Sequence, residues 1–131
     1  FNNTDKGIIS FKYNTNFFKQ SKWCTKEIFN YFNINVDSSF ANLNQLCGGI
    51  LIIKKNKHSQ LFITKFLKIL NDNPYLFTDK YNNNNQILEF IDNRHDQSIS
   101  TIIRYQIGTI LCDYDESNNS IEFVWTTRIK K

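Results

Sequence analysis

The stretch GGILIIKK, residues 48–55, sets four aliphatic side chains in a row behind two glycines and ahead of two lysines. A short unbroken run rich in β-branched residues reads as a strand covered on both faces, internal to a mixed sheet. C-terminal to it, Leu61, Phe62, Phe66, Ile69 and Leu70 recur at helical spacing over 59–70, and Pro74 closes that helix. Upstream, GIISFKY (7–13) alternates apolar and polar residues as a strand does. Ser21 is placed to cap a helix over 22–32, with Trp23, Ile28, Tyr31 and Phe32 supplying its apolar face. Residues 75–93 look irregular, and 96–106 read as the next helix, with Ile99, Ile102 and Ile103 inward and Gly108 as a left-handed stop. TILC (109–112) and IEFVW (121–125) read as strands joined by the turn-rich DESNNS. The order predicts an α/β fold, a mixed sheet flanked by helices.

Length and composition set the outer limits. The 131 residues suit a single domain spanning 1–131, and 40% hydrophobic with twelve Phe describes a globular chain. No apolar stretch approaches the roughly 20 residues of a membrane span. The opening FNNTDKGIIS resembles neither a signal nor a transit peptide and lacks an initiator Met, which suggests a fragment or a processed piece. Net charge is +4, but Lys, Asn, Ile, Phe and Tyr share AT-rich codons, and the basic residues are spread along the chain. An AT-biased genome accounts for that excess without a nucleic-acid partner, which would call for a clustered basic face. Cys24, Cys47 and Cys112 are odd in number and lack CxxC spacing. They argue against a disulfide framework or a zinc site and point to a reducing, cytoplasmic location.

Chemistry concentrates at Arg94, His95, Asp96 and Gln97, just ahead of the third predicted helix. An Asp there caps a helix beginning at Gln97 and complements its dipole. That explains one residue of four; the rest offer donors, acceptors and a titratable ring suited to sugar hydroxyls and phosphates. Gly48 and Gly49 leave room either for a sugar at a strand end or for a helix packed on the sheet.

NRHDQSIS (93–100) resembles the HRHDQSI signature of a group of glycosyltransferase-like proteins of bacteria and large DNA viruses, which carry the nucleotide-diphospho-sugar transferase (GT-A) fold. WCTKEIFNYF (23–32) is similar to that group's aromatic-x-T-K-x-x-x-F segment, and NQLCGGILIIKKN (44–56) to its Q-x-x-(A/G)-G-I strand. FVWTTRIKK (123–131) resembles its FWATRIR ending, so four stretches match in order. The resemblance implies a partial GT-A fold, the C-terminal portion, lacking the N-terminal nucleotide-binding half. It also implies transfer of a sugar from a nucleotide-diphosphate donor to a carbohydrate or other hydroxyl acceptor. Asp96 and His95 would be catalytic, and Gln97, Gly48, Gly49, Arg94 and Arg128 would touch substrate. Arg94 and Arg128 would face phosphate or pair with carboxylates. Whether Asp96 acts as a general base or anchors a hydroxyl stays open.

The resemblance also allows a divalent cation, Mn or Mg, in a full-length enzyme, and none is assigned to this segment. Asp113-Tyr114-Asp115 has the look of a metal-binding DxD, but it follows the DQ helix and reads as a polar hairpin loop. One departure from the signature is Asn93, which stands where the group has its leading His. The alternative function is a non-catalytic binding or interaction module, either a degenerate transferase remnant or a basic nucleic-acid binder.

Overall fold

A computed structural model describes residues 4–114 in full, and 115, 120–121 and 124–125 as strand backbone. The first strand, β1 (Ile8–Tyr13), leads through a 3-10 turn at Asn16–Phe18 into two short helices, α1 (Gln20–Trp23) and α2 (Lys26–Tyr31). After β2 (Leu46–Ile53) come α3 (Lys57–Asp72), α4 (Asp96–Ile107) and β3 (Ile110–Asp115), then the two-residue strands β4 (Ser120–Ile121) and β5 (Val124–Trp125). The sheet runs β2-β1-β3-β4-β5, with β1 antiparallel to β2 and parallel to β3. This is the α/β architecture expected, a mixed sheet flanked by helices.

β2 is an edge strand rather than an internal one, and its neighbour β1 is internal. Ile8 and Phe11 of β1 are fully buried, whereas β2 lies at the sheet edge with Gly48 and Gly49 exposed and Ile53 43% exposed. The ILII run is apolar because both its faces have partners. Leu51 packs against the helical core around Ile28, Phe62, Ile99 and Ile103, while Ile50 and Ile52 pack with Ile9, Phe11, Cys47 and Cys112 on the other face. Covered faces make a strand hydrophobic; an open hydrogen-bonding edge leaves no mark on side-chain pattern.

The expected helix over 22–32 is two helices. α1 ends before Cys24, which is extended, and α2 restarts at Thr25, whose hydroxyl accepts from the Ile28 N–H at 3.3 Å. Thr25 is therefore the cap, and Ser21 lies buried inside α1. α3 is longer than expected, started by Asn56 and Ser59 in a reciprocal capping box and ended at Asn73, ahead of a 3-10 turn at Pro74–Phe77. Phe62 and Ile69 are buried, but Leu61 and Leu70 from the predicted apolar face are 44% and 40% exposed, so α3 carries more apolar surface than the core takes up. In α4 Ile99, Ile102 and Ile103 are fully buried, and Gly108 stops the helix at φ 88°.

β3 continues through Asp113-Tyr114-Asp115, in parallel register with β1 up to Tyr13 opposite Tyr114. Those two rings meet edge-on, 5.3 Å between centroids, and favour strand over loop. The trio is thus not the hairpin loop its polarity suggested. Where one strand was expected over 121–125, β4 and β5 pair antiparallel with each other.

Candidate functional site

α4 begins without a side-chain cap. The residue at its N-cap is His95, held at φ 57° and ψ −122°, a conformation that suits glycine at the first central position of a type II′ turn. Buried Asn93 holds this bend. Its Oδ1 accepts from the His95 N–H at 3.0 Å, and its Nδ2 donates to the Leu76 and Thr78 carbonyls at 2.9 and 3.0 Å. The Asn93 amide therefore has a structural task.

Asp96 is the first residue of the helix rather than its cap, which corrects the expectation that its carboxylate would bind the first free N–H groups. Because His95 occupies the cap position, the Asp96 carboxylate is left over. It is exposed, sits at the positive end of the helix dipole, and accepts no hydrogen bond among the described residues.

The neighbouring side chains diverge. His95 Nε2 lies 2.5 Å from Asp79 Oδ1, which turns the ring toward the segment after α3. The Arg94 guanidinium carbon lies over the Trp23 indole, 4.2 Å from its centroid, and Arg94 forms no ion pair among the described residues. Gln97 is spent on structure: its Oε1 accepts from the Gly48 N–H at 3.0 Å, and its Nε2 donates to Gln45 Oε1 at 2.7 Å. Gln45 Nε2 donates in turn to Ser98 Oγ at 3.2 Å, and Ser98 Oγ donates to the Trp23 carbonyl at 2.7 Å. The Arg94 N–H donates both to that carbonyl and to Ser98 Oγ, each at 3.1 Å. So the α1–α2 junction, the start of β2 and the start of α4, remote in sequence, are tied into one largely buried polar network.

Cys24 belongs to that network, and burial pushes its thiol up to about 12, so it stays a protonated packing group rather than a nucleophile. The two glycines part company. A Cβ at Gly48 would fall 3.0 Å from the Gln97 Cβ, so Gly48 serves the close packing of α4 on the sheet. Gly49 has nothing within 4 Å of its virtual Cβ and faces open space.

Between β2, α3 and α4 lies an open cleft of about 240 Å³. One wall is the α4 face carrying Asp96, Gln97, Ser100 and Arg104; the other is Leu51, Ile53, Phe62, Ile63 and Phe66. Asp96 and Gln97 line a concavity beside Gly48, as expected, whereas His95 does not reach it.

Arg104 is the residue that sequence reasoning passed over. It is fully buried at the cleft floor, donating to the Ser100 carbonyl (3.3 Å), Ser10 Oγ (3.1 Å) and the Cys47 carbonyl (3.5 Å), with no carboxylate in ion-pair range among the described residues. Burial lowers its pKa to about 10, still charged at neutral pH. The fields of Cys47, Tyr105 and Asp96 oppose that shift. Its only sequence signal is a cation next to the apolar stripe, which reads as an ordinary basic residue in the last turn of a helix.

Arg128 and the tail 126–131 lie outside the described residues, as does the Asp115 side chain. Among the described residues no three His, Cys, Asp or Glu side chains converge. Nor, among them, is any helix long and apolar enough to cross a membrane. Compared with family models, curated proteins and solved structures, the chain matches none of the three.

Proposed function

We propose that this chain is the C-terminal portion of a GT-A-type glycosyltransferase, contributing sugar and acceptor contacts for transfer from a nucleotide-diphosphate donor to a hydroxyl. The observation that carries the reading is the Asp96 carboxylate, exposed on the wall of a cleft and accepting no hydrogen bond among the described residues. It has support from the convergence of three of the four signature-like stretches, 23–32, 44–56 and 93–100, on the polar network behind that carboxylate.

An ionised carboxylate only accepts hydrogen bonds, and sugar hydroxyls donate them. At about 240 Å³ the cleft is below the roughly 300–1,000 Å³ of most small-molecule pockets, so it suits a single ring rather than a whole nucleotide-sugar. Nucleotide and cation are left to residues other than those described, and nucleotide-diphospho-sugars with manganese should bind this chain weakly in calorimetry. Tight, metal-dependent binding would show that a nucleotide site had been missed.

The direct test is ligand-observed NMR with a panel of methyl glycosides, comparing wild type with Asp96→Asn. The reading expects binding of at least one glycoside, weakened about tenfold in the variant at unchanged melting temperature, because the charge-assisted contact is lost. No binding, or binding indifferent to the substitution, removes it. In a complete transferase the same substitution separates the two roles of Asp96. A lost general base lowers kcat by about 10²–10⁴, while a lost hydroxyl anchor costs about tenfold and raises KM.

A second reading, sugar binding without catalysis, is favoured by one observation: His95 is engaged by Asp79 and Gln97 by Gly48 and Gln45. Among the described residues that line the cleft, Asp96 is then the one carboxylate, and neither His95 nor the Gln97 amide is available to it as an acid–base partner.

A further inference from the structure

We propose that the cleft takes a glycoside with an apolar aglycone, the sugar end at Asp96 and the aglycone against α3 and β2. This rests on the sugar reading above and narrows its acceptor class.

The two walls differ in kind. Polar side chains come from one face of α4, and of these the Gln97 amide is already bonded to Gly48 and Gln45, and the Arg104 guanidinium to Ser100, Ser10 and the Cys47 carbonyl. The Asp96 carboxylate accepts no hydrogen bond among the described residues. Across from it, Leu51, Ile53, Phe62, Ile63 and Phe66 present no polar side-chain atom. A bare sugar carries hydroxyls around its ring, and those turned to that wall would lose water without gaining a partner. An apolar aglycone loses nothing there and gains from burial. At the mouth, Ile53 and Ile63 remain 43% and 45% exposed, so the protein itself leaves this apolar wall partly uncovered. An amphipathic ligand of this polarity matches both walls at once.

The test uses a homologous series, methyl, butyl and hexyl β-glucosides below their micelle-forming concentrations, titrated by NMR against the whole chain. Affinity should rise roughly fourfold per methylene until the cleft is filled. Ile63→Gln, at a half-exposed α3 position on the wall, should remove most of that rise. Leu67→Gln should leave it unchanged, since Leu67 is 52% exposed on the same helix but outside the cleft. Asp96→Asn should weaken every member by a similar factor. Equal binding of methyl and hexyl glucosides, still dependent on Asp96, overturns the aglycone proposal and leaves the sugar reading standing. A chain-length gain that survives Ile63→Gln, or is lost equally in Leu67→Gln, places the tail elsewhere and also overturns it. If hexanol binds as tightly as hexyl glucoside and Asp96→Asn changes neither, the sugar reading fails together with the proposal.

Discussion

α3 and α4 both start on a loop and both carry one face of the core, yet their first turns are built in opposite ways. At α3, Asn56 accepts from the Ser59 N–H at 2.9 Å and Ser59 Oγ accepts from the Asn56 N–H at 3.1 Å, so each side chain satisfies the other's backbone. Nothing is left over. At α4 the bend is imposed from outside by Asn93 and by the positive φ of His95, neither His95 nor Asp96 caps, and a carboxylate remains free at the dipole's positive end. A helix start that satisfies itself locally leaves few polar groups for a ligand. One that is held from outside keeps a charged group available, at a cost in local strain.

That contrast yields expectations of graded size. The largest concerns Asn93→Ala, which strands the His95 N–H and two carbonyls at a buried position. It should cost about 3 kcal/mol in urea unfolding, and a loss under about 1 kcal/mol would mean that the bend is held by something else. Next, Asn56→Ala should destabilise by about 1–2 kcal/mol through loss of the capping box, whereas Asp96→Ala should change stability by less than about 0.5 kcal/mol. Equal costs at the two positions would erase the difference between the helices. His95→Gly should raise stability by about 1 kcal/mol, because glycine adopts φ 57° without the Cβ penalty, less whatever the exposed Asp79 contact contributes. A lower melting temperature for His95→Gly would show that the Asp79 contact outweighs the strain.

The smallest effect sits at the far end of α3. Hydrogen bonds from Lys68 and Tyr31 hold the Asp72 carboxyl below its ordinary value. A depressed folded-state pKa contributes stability above the unfolded pKa and loses it as pH falls through the folded one. The gap in melting temperature between wild type and Asp72→Asn should therefore be present at neutral pH and close below about pH 4. A gap that persists at acid pH would place the contribution in packing rather than charge.

Much of the backbone plan was legible because it rests on local rules. Helix α3 and its proline-marked end, the inward Ile99-Ile102-Ile103 face, Gly108 as a left-handed stop and the strand at 8–13 all follow from periodicity and from what glycine and proline permit. The candidate site was legible only as a cluster of residue types at 94–97. Adjacent residues on one turn point in different directions, and their partners decide where each side chain ends. Asp79, Trp23 and Gly48 with Gln45 claim His95, Arg94 and Gln97 respectively, and all four lie far away in sequence.

By itself, then, the sequence determined the longer helices and the first two strands, that the sheet has helices packed on it, and where the polar chemistry concentrates. Tertiary structure decided that β2 is an edge, that the chain breaks between α1 and α2, that Asp113 to Asp115 belong to a strand, and that Arg104 lies buried beneath the cleft. The physical reason is range. Propensity, capping and periodicity act over a few residues, whereas an open edge, a buried cation and a free carboxylate are defined by which distant groups come near and which do not.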